Sequence, residues 1–420
     1  MKNVVRILIC ILLVCVSFAG GNLTLAGDDY PVSPSPPFQM ITSHNIHSDY
    51  SSKFAPVPYR SGFVFGNANG RLQYMVGGNI WMDVLIDETD IISSPIIVDS
   101  YAIVGTKVGT IAKVNIESGD IVWKKRVRNA IIGKPVYDDG RIYVGSADES
   151  FYCLDFDDGS IVFEYRTKTP IWSTPCIFAE RVIFGGDDDK IYCLNKYSGN
   201  VIWEISCDGL LEAEPILDGF YLYVGSLNGF VYKVNAITGE IIWNTAVPGV
   251  IHSKGVFVKN FLAVADDSGT VSFIDKKDGR IITQNSSFAP ISAPLTTNSE
   301  TVYFVDRNKD FIGIDIDGVV IWKRRLINSV RSELLILDQK IYMLTSDGYL
   351  QLWEECGYVS ILPENKNLGD FYSSDGYQSF DIEIVIGRDD GRVKPGAVIG
   401  RPFEAGKRCK AVLFRNTDVY

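Results

Sequence analysis

The sequence repeats itself. A glycine followed four residues later by a slot that holds Trp in five of eight cases recurs along most of the chain. The slots are Trp81, Trp123, Phe163, Trp203, Trp243, Thr283, Trp322 and Ile361, at spacings of 42, 40, 40, 40, 40, 39 and 39. The glycines are Gly77, Gly119, Gly159, Gly199, Gly239, Gly279, Gly318 and Gly357. A fixed period near 40 residues marks an array of like units stacked on one another. An invariant glycine within it marks a hairpin turn that needs positive φ, which glycine adopts without steric cost.

Two further registers lie inside the period. Gly66, Gly105, Gly145, Gly185 and Gly225 end apolar runs such as "IYVGS", and the later units drift to Ala265, Val305 and Leu344. Pro95, Pro135, Pro175, Pro215, Gly255 and Pro294 form the other. Between these marks the chain alternates apolar runs of four to six residues with Asp, Gly and Ser turns, as in "KPVYDDGRIYVGSADESFYCLDFDDGSIVFEYR" from Lys134 to Arg166. Val, Ile, Tyr and Phe in short runs bounded by such turns predict antiparallel strands. No stretch carries a helical period. Four short strands repeated every 40 residues predict an all-β propeller of four-stranded blades.

Seven complete units run from about Ile91 to Leu362, and Phe63 to Asp83 supplies three strands of another unit that lacks its first. An open blade would leave unpaired edges. The tail offers "DIEIVIG" (381–387) or "AVLF" (411–414) to complete that first blade. Eight blades are therefore expected, with seven as the alternative. The domain reading is residues 60–362 for the propeller, 27–59 for a Pro/Ser-rich leader, and 363–420 for a C-terminal extension.

The N-terminus reads as a signal peptide, residues 1–26. Lys2 and Arg6 precede the apolar run Ile7 to Val16, and Ser17-Phe18-Ala19 or Thr24-Leu25-Ala26 offers a cleavage site. The run is short of the ~20 residues that span a bilayer. No later segment is apolar enough to span one, so the processed chain is expected to have no integral membrane span. Export to the periplasm or cell surface follows. The formal charge is −11, and loss of Lys2 and Arg6 takes it to −13. That balance argues against nucleic acid as a partner, because phosphate binding rests on Lys and Arg. Of the eight cysteines, six remain after residue 26, too few for a disulfide scaffold. Cys153 and Cys193 share the slot that Lys113 and Lys233 fill in neighbouring units, which reads as packing. Cys356 and Cys409 could pair if the tail folds back.

"IYVGSADESFYCLDFDDGSIVF" and "LYVGSLNGFVYKVNAITGEIIW" closely resemble the repeat of the pyrroloquinoline-quinone-like propeller superfamily, over about 300 of the 420 residues. The resemblance implies that the slot side chains dock blade against blade. Those are Trp81, Trp123, Phe163, Trp203, Trp243 and Trp322, with Thr283 departing from the pattern. One branch of the superfamily oxidises alcohols or sugars with a quinone and calcium in the central channel, and many of its members carry adjacent cysteines. This chain has no Cys-Cys pair and no residue that matches those calcium ligands. The other branch is non-catalytic, includes the outer-membrane barrel-assembly propeller, and binds a protein partner through loops on one face.

Remaining constellations are modest. Asp187, Asp188 and Asp189 are weak metal candidates, because three carboxylates in one loop can hold calcium. The loop is also a hairpin turn, where Asp is expected. His252 opens an inner strand, with no partner evident for acid–base chemistry. Polar residues placed to line a channel are Ser94, Lys134, Thr174, Glu214, Lys254, Ser292 and Arg331. Of these, Lys134, Glu214, Lys254 and Arg331 are the charged candidates, suited to a small charged ligand or to ion pairs with one another. The expected function is an exported, non-enzymatic scaffold, monomeric, without cofactor, that binds a protein through its loop faces. The alternatives are a quinone- and calcium-dependent dehydrogenase, or a propeller that binds a small ligand in its channel.

Overall fold

A computed structural model describes residues 16–19, 22–25, 38–45, 56–291, 293–330, 332–337, 340–355, 377–379 and 412–414. The chain divides into two compact units, residues 40–354 and the remainder at both ends. In the terminal unit, Val16–Ala19 pairs with Asn22–Leu25, and Tyr377–Ser379 pairs with Val412–Phe414.

The larger unit is an eight-bladed propeller, each blade a four-stranded sheet. Blade 1 comprises Val57–Tyr59, Gly62–Gly66, Arg71–Val76 and Asn79–Leu85. Blades 2 to 7 follow at 96–126, 136–166, 176–206, 216–246, 256–285 and 296–325, each a meander of neighbouring antiparallel strands. Blade 8 combines Leu335–Leu337, Lys340–Leu344 and Tyr349–Glu355 with Phe38–Asn45, which pairs beside Tyr349–Glu355 as the outermost strand.

Closure therefore differs from the sequence expectation in two respects. Blade 1 is complete without the tail, because its inner strand is Val57–Tyr59, inside the segment assigned to the leader. Pro58 is tolerated there because an inner strand is a sheet edge, with no further ladder to donate to. The blade that needs a strand from elsewhere is the last, and residues 38–45 supply it. Of the two tail candidates, 412–414 pairs with 377–379 instead, and 381–387 lies outside the described residues. Gly357, Ile361, Cys356, Cys409 and most of the expected signal peptide also lie outside them.

The core sits in the seams between blades rather than in one centre. The second strand of each blade is buried on both faces, as in Tyr101–Gly105 and Arg141–Ser146, which explains its unbroken apolar run. One cluster joins blades 2 and 3 through Ile103, Ile111, Trp123, Ile142, Val144 and Leu154. Another joins blades 8 and 1 through Leu344, Leu350, Phe65 and Met75, and closes the ring with Phe63 against Tyr342, centroids 4.6 Å apart. These clusters are shared between neighbouring blades, the energetic signature of a stacked array.

The "YVGS" glycines serve close approach rather than positive φ. At Gly145 a Cβ would stand 2.4 Å from Cγ2 of Ile171, which arrives from the loop leading to the next blade. Gly105 meets Ile131 and Gly225 meets Ile251 in the same way. The Ser93 and Ser173 hydroxyls, which sequence reasoning passed over, pin the same crossing. Each donates to and accepts from the backbone of Gly105 or Gly185.

Candidate functional site

Two regions collect the residues singled out by the sequence: the blade seams and the central channel. In the seams, the outer strand of each of blades 2 to 5 opens with two exposed apolar residues and then turns one side chain inward. Trp123 is that side chain in blade 2, opposite Lys113, with Val122 bulged out just before it. Its indole Nε1 donates to the Phe156 carbonyl of blade 3 at 3.0 Å. Its ring lies on the next blade's turn, where a Cβ on Gly159 would come within 2.6 Å of it. Gly159 has φ 71°, so both backbone conformation and contact select glycine.

The geometry recurs around the ring. Phe163 lies on Gly199, Trp203 on Gly239 and Trp243 on Gly279. Trp203 and Trp243 each donate Nε1 to a carbonyl of the following blade, at Ala236 and Lys276. Trp322 packs edge-on to Phe311 at 4.6 Å. Thr283 fills the slot against Gly318 with a methyl group, and Asn285 Nδ2 donates to the Gly318 carbonyl at 2.7 Å. Gly77, Gly119, Gly159, Gly199, Gly239, Gly279 and Gly318 all have positive φ.

Trp81 is a correction. It is 73% exposed, so it fills no seam among the described residues. In blade 1 the pairing runs Tyr74 with Met82 and Met75 with Ile80, so Trp81 is the bulged residue, equivalent to Val122. Met82, 6% exposed, takes the docking slot, and its Cγ lies 3.7 Å from where a Gly119 Cβ would be. The slip comes from the Gly77-Gly78 pair, since both have positive φ and counting from the first lands one residue short.

The slot behind the indole carries two chemistries. In blades 2 and 5, Lys113 Nζ donates to the Phe156 carbonyl at 3.0 Å and Lys233 Nζ to the Lys276 carbonyl at 2.6 Å, each across a seam. The ammonium groups also lie over aromatic faces, 3.6 Å from the Phe156 centroid and 4.1 Å from that of Tyr221. Burial lowers both lysine pKa values, and nearby aspartates partly offset it. In blades 3 and 4 the slot holds Cys153 and Cys193, which are buried free thiols, as is Cys207. Burial pushes Cys153 up to about 11 and Cys193 and Cys207 up to about 12, and raises Cys176 further. The thiolate is the nucleophile, so the raised pKa disfavours reaction at all four, and burial adds to this at Cys153, Cys193 and Cys207 while Cys176 is half-buried. Peptide mapping after iodoacetamide treatment is expected to find all four unmodified in native protein and all four alkylated in urea.

The channel is lined by the residues that precede the inner strands. Lys134, Glu214, Lys254 and Glu333 bring the charge, and a cavity of about 340 Å³ opens between them and Pro56, Val57, Leu334 and Leu335. Lys254 Nζ stands 3.0 Å from Glu333 and 3.9 Å from Glu214. Burial pulls the Lys254 pKa down, but the two carboxylates outweigh it and hold the pKa above the usual lysine value. Glu333 was missed in the sequence because the period shortens to 39 there. Arg331 and Ser292, placed on the channel by the sequence, lie outside the described residues. Thr174 accepts a hydrogen bond from the Lys134 backbone at 3.0 Å.

His252 Nδ1 is 3.5 Å from Glu212, the partner that sequence reasoning did not find. The three aspartates of the 187–189 turn do not converge. Asp187 accepts from the Trp172 indole and Asp188 from the Tyr192 hydroxyl. Burial raises the Asp187 pKa, and the neighbouring acids Glu212, Asp188 and Asp189 add to it. Among the described residues no three His, Cys, Asp or Glu side chains are grouped to hold a metal ion. No described helix is long and apolar enough to cross a membrane.

Comparison with known proteins bears on both regions. The family model described as outer membrane protein assembly factor BamB matches residues 74–209, 172–249 and 267–355. No curated protein matches the chain at a significant level. Among solved structures, BamB from Moraxella catarrhalis is similar at a TM-score of 0.65 and 17% identity, covering 76% of this chain and 99% of that one. The computationally designed Ika8 protein is similar at a TM-score of 0.65 and 16% identity, covering 75% and 99%. A europium-containing methanol dehydrogenase follows at 0.62 and 12%, covering 73% and 84%. At these identities the likeness to solved structures is one of fold.

Proposed function

Because the chain belongs to the family of the outer membrane protein assembly factor BamB, we propose that it is an exported, non-enzymatic propeller that holds a protein partner through its loop faces in the cell envelope. The observation that carries this reading is the family match itself, which reaches into all eight blades and covers blades 2 to 5 and blade 7 whole. The channel chemistry agrees with it. Its central lysine is held between two glutamates, an arrangement that fixes charge in place rather than presenting a base. The basic, apolar N-terminus supports export, and the periplasm is the compartment that fits an assembly factor.

Each loop face carries a strongly exposed apolar residue. Phe220, 61% exposed, sits in the turn between the first two strands of blade 5. Ile327, 85% exposed, sits in the link from blade 7 to blade 8. The meander puts these two kinds of connection on opposite faces of the disc. Buried apolar anchors dominate protein interfaces, so Phe220→Ser and Ile327→Ser separate the two faces. Cross-linking in envelope preparations is expected to recover components of the outer-membrane assembly machinery, with one of the two variants losing at least half the yield. Reduction of an artificial electron acceptor by the protein supplied with the quinone, calcium and an alcohol or sugar would sink the reading.

A further inference from the structure

The charged groups of the channel are unevenly satisfied. Lys254 is bracketed by two carboxylates, and its close partner is Glu333 at 3.0 Å. Among the described residues Glu214 has only the far contact at 3.9 Å, beyond hydrogen-bond distance, so its carboxylate is loosely compensated. Lys134 lines the same cavity and its ammonium has no ion-pair partner among the described residues. All three side chains are partly buried, where an unmatched charge costs more than it does in water.

Among the described residues the lining therefore offers one open cation and one open anion, while its four charges cancel. An anionic ligand would satisfy Lys134 but face Glu214 and unbalance the ring. A cationic ligand would do the reverse. An uncharged ligand would leave both groups as they are. A ligand that carries both an ammonium and a carboxylate satisfies both and leaves the net charge at zero. The cavity of about 340 Å³ is at the small end of ligand sites. Val57, Leu334 and Leu335 also line it and suit an aliphatic side chain. From this juxtaposition we propose that the channel is a binding site for a small zwitterion, a free amino acid or a dipeptide, with its carboxylate on Lys134 and its ammonium on Glu214.

The test uses the full chain, L-alanine, L-alanyl-L-alanine, and the N-acetylated and C-amidated forms of that dipeptide. Calorimetry and thermal melting are read together. One of the two zwitterions is expected to bind saturably with a millimolar or better Kd, and which one does so identifies the size of the ligand. Each blocked dipeptide should bind at least about tenfold more weakly, the loss expected for one charge-assisted contact. Lys134→Met should weaken the zwitterion to the same degree, Glu214→Gln likewise, and Lys134→Arg should retain it. Circular dichroism confirms that each variant is folded. Absence of saturable binding by either zwitterion up to about 10 mM overturns the proposal. So does equal binding of the blocked forms, or wild-type binding by Lys134→Met. Partner cross-linking in the same variants is independent of these outcomes, so failure of the channel site is distinguishable from failure of the scaffold reading.

Discussion

A chain that begins at Ile46 is expected to be far less stable than one that begins at Pro37. The two differ by the strand Phe38–Asn45, which is the outer strand of blade 8. Its loss leaves Tyr349–Glu355 as a seven-residue open edge, and it unties the last blade from the beginning of the chain. Blade 8 also supplies one side of the seam that closes the ring, with Leu344 and Leu350 against Phe65 and Met75. A loosened last blade therefore weakens blade 1 as well. Losses of this class cost about 3–5 kcal/mol, the upper part of the range for structural lesions. At about 2–4 °C per kcal/mol in a chain of a few hundred residues, the melting temperature should fall by on the order of 10 °C. An open edge also recruits other chains, so the shortened protein should associate as its concentration rises. A synthetic peptide of residues 37–46, added in trans, should restore part of the melting temperature. Equal midpoints for the two chains would show that the strand does not close the ring.

The parts of this fold that were legible are those the repeat writes several times over. Strand number, the hairpin glycines and the inward Trp slots recur at each unit, so a single irregular unit could not hide them. The channel positions at Lys134, Glu214 and Lys254 were readable because each precedes a Pro or Gly that starts an inner strand. Glu333 was not, because blade 8 has Leu334 where the others have Pro or Gly, and the period has contracted by one. The closing strand carried no usable signal. "FQMITSHN" has one alternating half and follows a Pro-rich segment, and its partner lies some 300 residues downstream. Pairing across that distance is decided by ring geometry, which no local pattern records. The Val57–Tyr59 strand was hidden by its own proline. In the Trp slots the physics was legible but the register was not, since a glycine pair admits two counts.

That register difference leads to the second large effect. Trp203→Ala is expected to cost about 3–5 kcal/mol, the range for removing a buried Trp or Phe side chain. Trp203 is 9% exposed and packs in the blade 4–5 seam with Cys193, Leu222, Tyr232 and Val234. It also gives a hydrogen bond to the Ala236 carbonyl, so truncation opens a cavity and strands an acceptor. Trp203→Phe keeps most of the packing and loses the indole donor, for a cost of about 1–2 kcal/mol. Trp81→Ala, at the matching slot of the sequence repeat but bulged into solvent, should change stability by no more than about 0.5 kcal/mol. Met82→Ala, which removes the side chain that fills the blade 1–2 seam, should cost about 2–4 kcal/mol. Urea midpoints of the four variants at one protein concentration give the comparison directly. The order Trp203→Ala, Met82→Ala, Trp203→Phe, Trp81→Ala is required if docking, rather than the presence of tryptophan, holds the blades together. A Trp81→Ala loss as large as that of Trp203→Ala would place the blade 1 register one residue earlier and return Trp81 to the seam.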